Sequence, residues 1–253
     1  MTFDNIPLNF GRLGDEVAWH LSAAPQVRSV ILIGSYSRGD NTEYSDLDLV
    51  IVSASSLPRS SFYSLLPLRL RTRELSLLPY PWDVFKDLYY EGALFMAHVV
   101  TEGKVLYDDG YFATLTRIPF KVSVNSLLLQ WRMLKHRVEL FDDMSIYGRV
   151  FVDCLSHLYS ILKNVAIIAL ALGGELEFNK SRALETFVSK YPKLRRDITE
   201  LRRLQSFHLI WHKSAPVVEP FVPLKCRKLT ETYVDRLKRV IATVEENEIE
   251  NKN

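Results

Sequence analysis

Two aspartates separated by one residue, Asp46 and Asp48, open the run DLDLVIV at residues 46–52. Side chains at i and i+2 of a strand share a face, so the two carboxylates stand side by side while Leu47, Leu49 and Ile51 point the other way. A charge on a buried strand is costly unless something pairs with it. Two acids so close also repel each other unless a cation stands between them. Paired hard oxygen ligands suit Mg²⁺, which is usually held by a few carboxylates together with phosphate oxygens. The competing explanation is a solvated edge strand, but the apolar residues on both sides favour burial.

Upstream, Gly34 and Ser35 close the apolar, β-branched run VRSVILIG. Glycine lets the chain turn tightly and bring backbone N–H groups up to a phosphate, and the Ser35 hydroxyl can add a donor. No GxxxxGK[ST] occurs, so such a cradle works without a Walker lysine. Arg38 and Asp40 follow in the loop; Arg38 either touches a phosphate or is merely solvated. Tyr36 and Tyr44 could stack on a base or simply pack. Gly-Ser and Asp-x-Asp at this one spacing should arise by chance in roughly a few per thousand chains of this length.

The stretch GSYSRGDNTEYSDLDLVIV resembles the signature of the polymerase-β-like nucleotidyltransferases, above all the minimal nucleotidyltransferases and the aminoglycoside adenylyltransferases. A weaker likeness extends through RELSLLPY and EGKVLYDDG over most of the first 110 residues. The resemblance implies an α+β protein, with a small mixed-sheet core followed by a helical bundle. It implies NTP as substrate, with two Mg²⁺ ions held by Asp46, Asp48 and a third carboxylate on the next strand. Gly34, Ser35 and Arg38 would then face the nucleotide. Glu74, in RELSLLPY, is offered as the third acid, as metal ligand or general base. The family more often has Asp there, and Glu74 could instead pair with Arg71 or Arg73. Asp83 and Asp87 are weaker candidates, since Asp83 suits the first turn of a helix.

These residues need elements to position them. Residues 10–23 read as an amphipathic helix with Leu13, Val17 and Leu21 on one face, then a strand from 27, a polar turn-rich loop, and the DLDLVIV strand. A helix over 59–71, a strand over 73–80 stopped by Pro79 and Pro81, and a helix over 82–91 follow. LFMAHVV is ambiguous between helix and strand, and TEGKVLYDDG reads as a turn plus a short extended piece. Beyond about residue 120 glycine becomes scarce and apolar spacing turns to three-four, predicting five helices. The expected division is therefore a catalytic domain over 1–120 and a helical domain over 121–253, with a polar tail EENEIENKN that frays.

The 253 residues, 47% apolar and 25% charged, are ordinary for a soluble chain, and the net charge of +2 does not select a partner. The two cysteines, Cys154 and Cys226, form neither a zinc motif nor a disulfide framework, which fits a reducing cytoplasm. The N-terminus has no apolar signal region, and VAIIALALGG is too short to span a bilayer, so no membrane association is expected.

The helical half should select the acceptor. It weakly resembles the helical domains of antibiotic adenylyltransferases and the HEPN bundles, whose ribonucleases use an Arg-x4-6-His pattern that Arg203 and His208 match loosely. Two basic clusters, residues 190–213 and 225–239, could hold an RNA backbone or be solvated faces with pairs such as Glu200–Arg203 and Asp235–Arg239. Glu139, Asp142, Asp143 and Asp153 could supply the acidic cleft that a cationic aminoglycoside needs. The acceptor thus stays open among tRNA or other RNA, a protein side chain and a small hydroxylated molecule, as does a toxin–antitoxin role. So do a HEPN-like ribonuclease, a non-catalytic nucleotide binder, the preferred base and the oligomeric state.

Overall fold

The computed structural model describes residues 10–72, 74–142, 151–213 and 223–249, and the chain divides into two units, Met1–Ser123 and Val124–Asn253. The first unit runs α1 (Phe10–Ser22), β1 (Val27–Ile33), α2 (Gly34–Arg38), β2 (Leu47–Ser53), α3 (Arg59–Ser64), β3 (Leu75–Pro81), α4 (Trp82–Tyr90), α5 (Leu94–Glu102), β4 (Lys104–Asp108) and α6 (Tyr111–Leu115). Its four strands lie in the order β3-β2-β1-β4. β1 pairs antiparallel with both β2 and β4, and β2 pairs parallel with β3, so the sheet is mixed.

Both faces of the sheet are covered. On one, Leu13, Val17 and Leu21 of α1 and Phe62 of α3 pack with Val30, Leu32, Leu47, Leu49, Ile51, Leu75 and Leu77. On the other, Phe85 and Tyr89 of α4, Met96 and Val99 of α5, and Phe112 and Leu115 of α6 pack with Ile31, Ile33, Val50 and Val52. This explains why β2 is apolar at every position from Leu49 to Val52: a strand buried on both sides cannot alternate. Each such aliphatic side chain contributes about 1.5–3 kcal/mol on full burial. Asp46 and Asp48 share the parity of Val50 and Val52, at the end of the face that α4, α5 and α6 cover beyond them.

Several local expectations are revised. The polar stretch after β1 begins as a short helix, α2, closed by Gly39 in the left-handed region at φ 78°. The helix expected over 59–71 breaks after Ser64, and a 3-10 turn, Leu68–Leu70, follows Pro67, whose ring cannot continue an α-helix. β3 runs through Pro79 and Pro81 rather than stopping there, because it is an edge strand and only one side needs amide donors. LFMAHVV resolves as helix α5.

In the second unit, α7 (Val124–Glu139), α9 (Lys180–Lys190), α11 (Leu204–Lys213) and α12 (Pro223–Val244) pack on α8 (Phe151–Leu172), with α10 (Arg195–Arg202) against α12. α8 has 22 residues, so the greasy stretch belongs to a helix long and apolar enough to cross a membrane, contrary to the shorter reading; most of its apolar window is buried inside the fold. Gly174, at φ 88°, ends it, and Asn179 caps α9 by accepting from the Ser181 and Arg182 amides at 3.0 and 2.9 Å. The fourth expected helix is two, α10 and α11, divided at Arg203. The tail winds on through Glu245–Ile249 and buries Glu248, which accepts from Tyr191 at 2.7 Å and pairs with Lys190 at 2.8 Å. Its last four residues, 250–253, lie outside the described residues.

Candidate active site

The antiparallel register sets Ile33 opposite Asp48, so the turn that leaves β1 begins beside the second acid. Gly34 has φ 76°, and a Cβ built on it would lie 3.1 Å from Asp48 Oδ2. The left-handed backbone and the crowding both favour glycine here. The amides of a helix's first turn have no partner within the helix. Those of α2 thus start where the chain passes the Asp48 carboxylate.

Asp46 lies one residue before β2, where the Leu47 amide donates to the Glu74 carbonyl at 2.8 Å. Parallel pairing then sets Leu47 with Leu75 and Asp48 with Ser76, so Glu74, in the turn just before β3, and Asp46, just before β2, each precede a paired position. Burial, and behind it the charges of Asp46 and Glu74, raise the Tyr36 hydroxyl, while a hydrogen bond with Asn41 works the other way. One hydroxyl thus senses both acids. Asp46 and Asp48 are half-buried and Glu74 is exposed. Arg71 hydrogen-bonds the Leu66 and Ser64 carbonyls at 2.9 and 3.2 Å, and Arg73 lies outside the described residues. Asp83 falls in the first turn of α4, as a helix-start acid should.

The donor set fits a hard cation in its oxygen chemistry and its shared parity. Among the described residues, however, no three His, Cys, Asp or Glu side chains converge into a ready metal cluster. The acids arranged by the backbone are therefore a pair, with Glu74 in the turn before the neighbouring strand.

Arg38 is engaged. Its Nε donates to Asp40 Oδ2 at 3.0 Å and its Nη1 to Glu102 Oε2 at 2.7 Å, with only 14% of the side chain exposed. Ser37 Oγ donates to the Glu102 carbonyl. Glu102, the last residue of α5, was not singled out from the sequence; it lies 64 positions beyond Arg38 and nothing local marks it.

In the helical unit several cations of the expected basic faces are paired with acids. Arg203 pairs with Glu200 at 2.9 Å, as its spacing predicts, but Arg236 and Arg239 both go to Asp197, at 2.7 and 2.9 Å, instead of Asp235 taking Arg239. Arg227 pairs with Glu231 and Arg202 with Glu185. Of the acids proposed for a cationic ligand, Asp142 accepts from Lys238 at 2.5 Å, and Glu139 and Asp153 lie near His136 and His157. Asp143 falls outside the described residues. His208 turns toward α8, with Nδ1 3.0 Å from Ser156 Oγ and its ring 5.4 Å from that of Tyr159.

Residues 15–109 match the family model of the nucleotidyltransferase domain, and this part of the chain is such a domain. Among solved structures, the chain is similar to the spectinomycin adenyltransferase AAD(9) from Enterococcus faecialis, determined with ATP and spectinomycin. Identity is 11%, covering 90% of this chain and 98% of that one, with a TM-score of 0.48. It is also similar to a nucleotidyltransferase-like protein from Exiguobacterium sibiricum, at 13% identity over 93% of this chain and 75% of that one, TM-score 0.37. A third likeness is to a chain of the tri-AMPylated Shewanella oneidensis HEPN toxin in complex with MNT antitoxin. There identity is 18%, covering 53% of this chain and 98% of that one, with a TM-score of 0.28. No curated protein sequence matches the chain.

Proposed function

We propose that this protein is a Mg²⁺-dependent nucleotidyltransferase that moves a nucleoside monophosphate from an NTP to an acceptor hydroxyl. The observation that carries this reading is the crowding of Gly34 against Asp48, at the start of a strand whose other acid, Asp46, shares its parity, inside a nucleotidyltransferase domain.

Asp46 and Asp48 would hold the metal, two ions in the fullest form, whose chemistry when bound is to neutralise phosphate charge and align the attacking and leaving oxygens. Gly34 and Ser35 present the turn to the β- and γ-phosphates. Arg38, through Asp40 and Glu102, holds that turn in place. The acceptor oxygen attacks the α-phosphorus, the bond to the bridging α–β oxygen breaks, and pyrophosphate leaves with the electron pair. Glu74 takes the proton from the acceptor hydroxyl. These substrates suit a cytoplasmic setting. The acceptor is a tRNA or other RNA, a protein side chain or a small hydroxylated molecule, and a toxin–antitoxin role is compatible with the first two.

The test is incubation with Mg²⁺ and each α-labelled NTP, in the presence of tRNA, cell protein or an aminocyclitol. Transfer of label with release of pyrophosphate, lost in the Asp46→Asn/Asp48→Asn protein and on chelation, is the expected result. Undiminished transfer by that variant would remove the acids from the chemistry.

A further inference from the structure

We propose that Glu102 is a positioning residue for the nucleotide, acting through Arg38; this rests on the nucleotidyltransferase reading above. Five-residue helices do not hold themselves in place, because a costly nucleus is repaid by too few bonds. α2 must therefore be fixed by its surroundings. At its start Gly34 abuts Asp48; at its end Gly39 and Asp40 donate to the Ser35 carbonyl at 2.9 and 3.1 Å. Between these, Tyr36 packs against the core, and Glu102 takes hydrogen bonds across from α5. Its carboxylate accepts from Arg38 at 2.7 Å and its carbonyl from Ser37, so one residue grips two consecutive positions of the turn.

His98, one turn back on α5, lies close by, its Nε2 3.1 Å from the same carboxylate oxygen. Gly103, next along, has no room for a Cβ, which would fall 2.2 Å from the Val99 carbonyl and 2.9 Å from Ile31. The α5–β4 corner is thus packed onto β1, the strand that delivers Gly34. With side-chain exposures of 14% for Arg38 and 17% for Glu102, solvent screens the ion pair little. Glu102 reaches the phosphate-facing turn without being a ligand of metal or nucleotide.

The experiment measures affinity by calorimetric titration with Mg²⁺ and each of the four NTPs, the tightest being carried into Glu102→Gln, Arg38→Gln and the double variant, with Tm recorded for each. Glu102→Gln should weaken the NTP Kd about tenfold, the worth of one charge-assisted hydrogen bond, with Tm within about 4 °C of the parent. The double variant should bind no worse than the weaker single, since the two residues act as one unit. Additive losses, or a Tm that falls in step with affinity, would reduce Glu102 to a structural role and overturn the proposal. An unchanged Kd would do the same while leaving the nucleotidyltransferase reading intact. A parent protein that binds none of the four NTPs would overturn both. Should Glu102→Gln not fold, Arg38→Lys keeps the charge but loses the two-direction fork, and its affinity must still fall several-fold.

Discussion

Gly34 lies hard against Asp48: a Cβ on it would stand 3.1 Å from the carboxylate oxygen, on a backbone at φ 76°. The turn after β1 and the acid on β2 are therefore one steric unit, although fourteen positions separate them in the chain.

Gly34→Ala should consequently harm both stability and binding. The left-handed conformation costs a residue with a Cβ about 1–2 kcal/mol, and the Asp48 carboxylate must shift by a few tenths of an ångström. The expected result is a Tm several degrees lower, and an NTP affinity lowered by more than the same substitution at Gly39 produces. Gly39 has similar backbone but nothing within 4 Å of its Cβ position. Thermal melts and NTP titrations of the two variants side by side decide this.

Glu74→Gln separates chemistry from binding. Glu74 is exposed, so the change costs little stability. As a general base it should contribute about 10²–10⁴-fold to kcat. NTP affinity should change far less. Steady-state kinetics showing kcat unaltered would return Glu74 to the ordinary surface acids.

Asp197 governs an acid-sensitive part of the helical unit. Burial pushes its carboxyl up, but hydrogen bonds from Arg239 and Arg236 outweigh this and hold it below the usual range. A depressed folded-state value means stability that is fully present above the unfolded value near 3.9 and lost as pH falls through the folded one. Asp197→Asn should cost about 1–3 kcal/mol at pH 7, less than a fully buried pair because Arg239 is 56% exposed. Urea unfolding should show parent and variant differing by a constant amount from neutrality down to about pH 5, then converging below about pH 4.

Cys154, on α8, is fully buried, and burial, with Asp153 beside it, pushes its thiol up to about 12. The thiolate is the reactive form, so this thiol should be inert in the native protein. Iodoacetamide at pH 8, followed by peptide mass mapping, should leave Cys154 unmodified until denaturant is added. Rapid native labelling would show that α8 opens locally.

The sequence by itself determined the local features of the N-terminal unit. The parity of Asp46 and Asp48, the opposite burial of Leu47, Leu49 and Ile51, the apolar face of α1 and the glycine at the turn all follow from strand and helix periodicity and backbone sterics, which act over a few residues. Tertiary structure alone decided what depends on distant partners. Parallel pairing of β2 with β3 set the strand that follows Glu74 against the strand that follows Asp46; the edge position of β3 admitted two prolines; Glu102 captured Arg38; and Asp197 drew Arg236 and Arg239 out of the basic face that their spacing suggested. Each of these is a choice among many possible partners. Only the closed fold makes it, because strand pairing, burial and charge compensation are properties of neighbours in space, and periodicity along the chain carries no record of them.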